Sequence, residues 1–329
     1  MSGDAIELVD RVSLTSLWGG VPKRGDLLGL LELDPDGEGA AYLGRRAREM
    51  ARVVAGNRGR IWAAIGIDYR PCSMNCQFCS FGEAWSLIEE PRVLTDREVI
   101  KAAENFSSKG ASWIVLRTTQ SFEVDRLYRL ATAIRRGVPG PYELVVNTGE
   151  FDQTIAKHMF DAGINMIYHT IRLGEGKTTP FDPAVRARTL DAVRASPLKL
   201  AYLIEPVGIE HSNEEILDSY DACTSYSSTL SGAMARVNVK GTPFGDMKPV
   251  SESRMAQIIA VTRLAGGHRT PNICVHPPSM KALEWGANVL VVEEGAVPRE
   301  RTRCQSSWRE FNIAEAKIMF LEAGYEIGP

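Results

Sequence analysis

The chain has 329 residues, 44% hydrophobic and 24% charged, with a net charge of −3. That is long enough to bury one large core, and too near neutral to point to nucleic acid or a charged membrane surface as a partner. No apolar run reaches the roughly 18 residues of a membrane span, Met1 to Ala5 lacks the marks of a secretion signal, and three of the six cysteines fall in one short motif, which suits a reducing, cytoplasmic setting.

Residues 4 to 56 read as a helical preface, in which Ala40 to Val54 repeats alanine and arginine with a period near 3.6. Strands and helices then alternate. Strand candidates are 61–67, 112–117, 142–147, 164–170, 198–205, 233–239, 272–276 and 288–293. Thr95-Asp96-Arg97-Glu98 and Ser212-Asn213-Glu214-Glu215 are capping boxes that open helices. Asp182-Pro183 sets an N-cap before a first-turn proline. A closing helix over 313–324 stops at Gly324. Eight strands, each followed by a helix, predict an α/β fold: a parallel (βα)8 TIM-type barrel over 59–329. An N-terminal helical extension over 1–58 is expected to close it near the bottom.

Cys72, Cys76 and Cys79 form C-x-x-x-C-x-x-C. The motif follows the apolar run Ile61 to Ile67 and the break at Pro71, which places it in a loop after the first strand. Three thiolates suit a [4Fe-4S] cluster with three irons held by protein and one left open. Structural zinc wants four ligands, and no histidine lies nearby. Zinc and chemically inert cysteines remain the alternatives.

Phe78 directly precedes the third cysteine. With the motif after strand one of a βα series, the chain resembles the radical S-adenosylmethionine superfamily. Val237 to Pro243, Val207 to Glu210, and the stretch from Ala162-Gly163-Ile164 to Tyr168-His169 resemble biotin synthase in corresponding places. The resemblance implies a [4Fe-4S] cluster on the three cysteines and S-adenosylmethionine on its open iron. It also implies a small-molecule substrate and an electron donor such as flavodoxin or ferredoxin. S-adenosylmethionine contacts are implied near Phe78, Thr119, Arg172, Glu175, Gly208, Ile209, Gly241 and Thr242. The plain alternative for Arg172 and Glu175 is a solvated loop, and for Gly208-Ile209 a turn before a helix.

In such a barrel the strand ends form the reaction chamber. His169 and His276 stand at strand ends, although a lone histidine there is more often a satisfied structural residue. Arg236, Asn238 and Lys240 alternate along one strand. A buried cation there calls for an anionic substrate or for an internal partner such as Glu205 or Glu293. Arg299 to Cys304 reads as a basic loop that clamps an anion or stands in solvent. Biotin synthase's second, sulfur-donating cluster would fall near Val115, Val145, Ala201 and Cys274, and only the last is a thiol. Cys274 and Cys304 are the candidates for a possible auxiliary iron–sulfur cluster, while Cys223 fits a packed helix. The expected chemistry is hydrogen abstraction from a small polar substrate, as in amino-acid rearrangement or cofactor assembly. The alternatives are sulfur insertion and a non-catalytic iron–sulfur carrier.

Overall fold

The computed structural model describes residues 3–299 and 311–327; Arg303 and Cys304 fall outside them. Eight parallel strands carry the fold: β1 (Arg58–Gly66), β2 (Trp113–Arg117), β3 (Glu143–Asn147), β4 (Met166–Tyr168), β5 (Lys199–Ala201), β6 (Leu230–Ala235), β7 (Asn272–His276) and β8 (Val289–Gly295). Each pairs with the next in sequence, and β8 pairs back onto β1, so the sheet closes into the expected barrel.

Three of the expected strands differ clearly in extent. That over 164–170 shortens to Met166–Tyr168. Strand five breaks after Ala201 and resumes at Ile204–Val207. β6 starts earlier than the apolar pattern suggests and ends before Arg236. Gly232 explains the early start: a Cβ there would lie 1.9 Å from the Cys274 carbonyl oxygen of β7. The chain leaves the sheet after Ala235, so Arg236, Asn238 and Lys240 do not share one strand face.

Side chains alternate across the wall, as a strand's period of two requires. Ile61, Ala63, Ile65, Ile114, Leu116, Leu144 and Val146 point outward into the core shared with the helices. Trp62, Ala64, Trp113, Val115, Val145, Met166, Ala201, Leu203, Leu230, Cys274 and Val289 point inward and fill the lower barrel. The barrel is therefore plugged below by apolar side chains. Arg117, Asn147, Glu205, His276 and Glu293 stand above this plug, near the C-terminal strand ends.

Each barrel strand is followed by a helix: α4 (Asp96–Ser108), α5 (Val124–Gly137), α6 (Gln153–Asp161), α7 (Pro183–Arg194), α8 (Asn213–Ser225), α9 (Glu252–Gly266), α10 (Met280–Glu284) and α11 (Ile313–Glu322). Both predicted capping boxes are formed. The preface is three helices, over Gly3–Leu17, Arg24–Glu32 and Glu38–Val54. They lie against the outer faces of α8, α9 and α10. They cover the barrel's flank and also reach its lower rim, where Gly267 and Gly286, in the turns before β7 and β8, pack on the Ser16 and Ala47 backbone. The third preface helix buries Ala40, Leu43, Gly44, Ala47 and Met50. Its Gly44 admits Trp285, whose indole lies 2.4 Å from where a Cβ would stand.

Gly66 ends β1 beneath the cysteine loop. A Cβ there would sit 1.9 Å from the Ala296 carbonyl oxygen, a backbone atom that cannot swing aside. Gly66→Ala is expected to cost about 1–3 kcal/mol through forced separation of β1 from the chain after β8. Urea unfolding would read the loss, and an unchanged midpoint would show that this contact relaxes freely.

Candidate active site

The cysteine loop begins with a two-residue strand, Asp68–Tyr69, paired antiparallel with Arg92–Val93. Short backbone bonds shape the loop: Cys72 N–H donates to Phe81 O at 2.6 Å and Cys79 N–H to Cys76 O at 2.9 Å. Other loops hold it from outside. Gln77 N–H donates to Thr178 O at 2.9 Å, Ser80 N–H to Pro298 O at 2.8 Å, and Phe244 N–H to Gln77 O at 3.2 Å. The segments after β4, β6 and β8 thus fix where the thiols stand. Tyr69 meets Phe81 edge-on at 5.4 Å and supports the loop from below.

Cys72, Cys76 and Cys79 are free, half-buried thiols on the wall of one cavity of about 140 Å³. Arg117, Thr119, Asn147, Arg172 and Arg186 share that wall. Burial raises the Cys79 thiol to about 12 and raises Cys76 as well, against the pull of Arg172. No group of three His, Cys, Asp or Glu side chains placed to hold a single metal ion occurs among the described residues. A cluster places each thiolate on a different iron. Three free thiols on the wall of one cavity fit a thiolate-held iron–sulfur group.

A second cavity of about 160 Å³ lies deeper, within the barrel. Cys76, Cys79, Arg117, Asn147, Arg172 and Pro298 border both cavities, so the two adjoin. Trp62, Ala64, Val115, Leu203, Cys274 and Val291 give the inner one an apolar floor. Its upper wall is charged. Arg117 and Arg299 both hydrogen-bond the Glu293 carboxylate. Tyr168 donates its hydroxyl to Glu205, and Arg172 lies 3.8 Å from the same carboxylate. Burial raises Glu205 above the usual carboxylate range, against the pull of Arg172.

Phe78, Arg172, Arg236 and His276 line the inner cavity, and Thr119 and Arg172 the outer. Thr119 is held by the buried Asp68, which accepts from its N–H at 2.9 Å and from its hydroxyl. Several of the residues singled out in the sequence are held by other groups of the protein or stand away from both cavities. Glu175 accepts from the Arg172 N–H at 2.9 Å, from the Thr179 hydroxyl at 2.5 Å and from Arg186 Nε at 3.1 Å, which commits its carboxylate to the fold. His169 borders neither cavity, and its Nε2 lies 3.2 Å from Glu150. Of the two readings for Arg236, an anionic substrate or an internal partner, the structure shows an internal partner. Glu210 pairs with it, one contact being 3.0 Å, and Asn238 Oδ1 accepts from its Nε at 3.1 Å. The expected partners were Glu205 and Glu293. Glu210 reaches it because the chain turns at Gly208, where a Cβ would lie 2.4 Å from the Arg236 guanidinium. Ile209 is exposed, Gly241 adopts a φ of +97° beside Leu87, and the Thr242 hydroxyl donates to Val239 O at 2.8 Å. Lys240 is exposed.

The sequence reading missed Arg186 and Glu150. Arg186 lies on α7 and reaches back to Glu150 at 2.6 Å and to Glu175. No local pattern distinguishes it from the other arginines of that helix.

Both buried histidines carry a pH signature. Burial and Arg186 hold His169 down to about 4. Burial and Arg299 hold His276 to about 3. Each binds its proton more readily in the unfolded chain, near 6.5. Their stabilisation is therefore full above pH 6.5 and falls as pH drops toward these folded values. By pH 5 the loss is about 2 kcal/mol per histidine. Urea unfolding at pH 7 and pH 5 would measure it, and His169→Gln should remove about half of the dependence, leaving the share of His276. A flat wild-type profile would show that neither histidine is held neutral.

No family model matches the chain. Biotin synthase of Renibacterium salmoninarum is 24% identical over 253 residues, 73% of this chain and 72% of that protein. Biotin synthase of Magnetococcus marinus is 21% identical over 199 residues, 58% of this chain and 62% of that protein. The barrel and its extension match the crystal structure of methylornithine synthase (PylB) with a TM-score of 0.81 at 18% identity, over 97% of both chains. They match HydG, a maturase of the [FeFe]-hydrogenase, with a TM-score of 0.80 at 15% identity, over 100% of this chain and 76% of that one. By this fold and this sequence likeness, the chain resembles the biotin synthase-like group of the radical S-adenosylmethionine superfamily.

Proposed function

We propose that the chain is a radical S-adenosylmethionine enzyme that abstracts hydrogen from a small molecule held inside the barrel. One observation carries this reading: three free cysteines line a cavity that shares a wall with a second, deeper chamber. Cys72, Cys76 and Cys79 would hold the [4Fe-4S] cluster, which when bound supplies the electron that cleaves S-adenosylmethionine to methionine and a 5′-deoxyadenosyl radical. The chain's own residues bind, orient and exclude water. Arg172 borders both cavities, and its buried Nη1 lacks a hydrogen-bond acceptor. With the Glu175 and Glu205 carboxylates 3.7 and 3.8 Å from its guanidinium, this donor suits a neutral acceptor of the bound molecule, a hydroxyl or carbonyl. Thr119, fixed by Asp68, presents a polar edge to the outer cavity. The apolar plug keeps the inner floor dry, so a bound molecule is positioned against side chains and not against solvent.

Amino-acid rearrangement or cofactor assembly suits the chamber better than sulfur insertion. Val115, Val145 and Ala201 lie in the apolar plug and carry no donor for a second cluster. Cys274 is the one thiol of that plug. Anaerobic reconstitution should therefore give about 4 iron per chain. Cys274→Ala should leave that number unchanged, and a fall on this substitution from about 8 would reveal a second cluster.

The reading is tested by adding dithionite and S-adenosylmethionine to the reconstituted protein. Release of 5′-deoxyadenosine supports it. A bound cluster that releases none would favour an electron carrier.

A further inference from the structure

We propose that the chain forms a two-fold homodimer in which Trp18 of each copy enters a groove on the lower flank of the other. The inference goes beyond the reading above and does not depend on it.

The local chain holds the projecting ring in place. Leu14 and Trp18 lie one helical turn apart at the end of the first preface helix, and Val21 follows the turn. Their exposures are 47%, 87% and 70%. A single exposed apolar side chain is ordinary, but three within one short turn form a patch. Trp18 N–H donates to Leu14 O at 3.1 Å and Gly20 N–H to Thr15 O at 2.8 Å. Gly19 supplies the left-handed φ of +79° that this turn requires. The backbone of Trp18 is thus fixed before any partner arrives, which lowers the ordering cost of a contact.

A groove of about 460 Å³ begins at Val21. Its floor is apolar: Pro22 and Leu27 from the preface, Tyr220 from α8 and Ala265 from α9, all buried. Its rim is polar. The Thr224 and Ser225 hydroxyls donate to Asp221 O at 2.9 Å and Ala222 O at 2.8 Å, so their oxygens remain as acceptors. Arg269 stands exposed on the same rim, and a guanidinium stacks well on an aromatic face. An indole matches each part: an apolar ring for the floor, a donor-only N–H for the hydroxyl oxygens and a face for the cation. Trp18 does not line the groove of its own chain. Because ring and groove share one face, a two-fold axis between them seats both indoles at once.

The last turns of α8 and α9 build the groove, and these lie at the end of the barrel away from the cysteine loop. Pairing there leaves both cysteine loops uncovered. Two indoles bury about 300–500 Å², against roughly 1,200 Å² for a small specific interface. Leu14, Val21 and the rims must supply the rest, so the dissociation constant should be on the order of micromolar.

Sedimentation of the full chain from about 1 to 200 μM tests this. The average mass should rise from that of one chain toward twice that mass. Trp18→Ser should weaken the dimer at least about 100-fold, since each substitution removes two equivalent contacts. Ser225→Arg, which fills the groove with a long charged side chain, should do the same. Both residues are exposed, so thermal unfolding of either variant should match the parent at a concentration where the parent is monomeric. Mixing the two variants restores one of the two contacts. Native mass spectrometry of the mixture should therefore show heterodimer above either homodimer, a gain that misfolding cannot mimic. A single-chain mass at every concentration, a dimer undisturbed by Trp18→Ser, or no gain on mixing would overturn the proposal. Growth beyond the dimer would overturn its two-fold arrangement.

Discussion

Cys76→Ala should remove the absorbance band near about 400 nm and all cleavage of S-adenosylmethionine. Cys76 borders both cavities, so its sulfur stands at the passage from one to the other. The bond that Cys79 N–H makes to residue 76 goes to the backbone carbonyl and survives the substitution. The side chain is half-buried, so the iron-free variant should unfold within about 1 kcal/mol of the iron-free parent. Iron per chain, the visible spectrum and deoxyadenosine yield should fall together while the fold persists. A full four-iron complement in the triple variant, with Cys72, Cys76 and Cys79 all replaced by alanine, would refute the ligand set.

The largest expected effect on stability lies far from the thiols. Arg263 on α9 is fully buried. Its Nε donates to Gly286 O at 2.8 Å, and its two Nη groups donate to Pro271 O and Asn288 Oδ1, both at 2.7 Å. These acceptors sit in the turns that lead into β7 and β8, and Asn288 Oδ1 also accepts from the Ile273 N–H at 2.8 Å. One guanidinium thereby locks the starts of two neighbouring strands. Arg263→Met leaves the acceptors buried without their donor and should cost about 3–5 kcal/mol. Denaturant unfolding of the full chain would measure this. A loss below about 1 kcal/mol would show that water reaches these carbonyls.

The barrel was legible because its strands are short apolar runs between clear helix signals. Thr95 to Glu98 and Ser212 to Glu215 bind their own backbone, so four residues suffice to announce those helix starts. The cysteines were legible for the same local reason. The charged wall was legible only as a set of candidates. Sequence placed Arg236, Glu205 and Glu293 near strand ends, yet who pairs with whom depends on where the chain leaves the sheet. Arg236 meets Glu210 because β6 ends at Ala235 and strand five runs on to Val207. A shift of four residues in one strand end, from 239 to 235, changed the partner. Arg186 was invisible because it approaches the site from a helix, and nothing local marks which helical arginine turns inward. The position of the preface helices was equally nonlocal, since an amphipathic stripe states that a face is buried and not what buries it.

The bond from Ser80 N–H to Pro298 O reaches beyond geometry to biosynthesis. Pro298, whose carbonyl anchors the cysteine loop, is made 219 residues after Cys79 (298 − 79). A nascent chain therefore carries three exposed thiols that have no fixed places. If these thiols hold the proposed cluster, a factor delivering iron and sulfide would meet a competent receptor only after the last barrel strand has joined the first. Truncation upstream of Pro298 would then spoil metal loading even though the whole thiol motif is present.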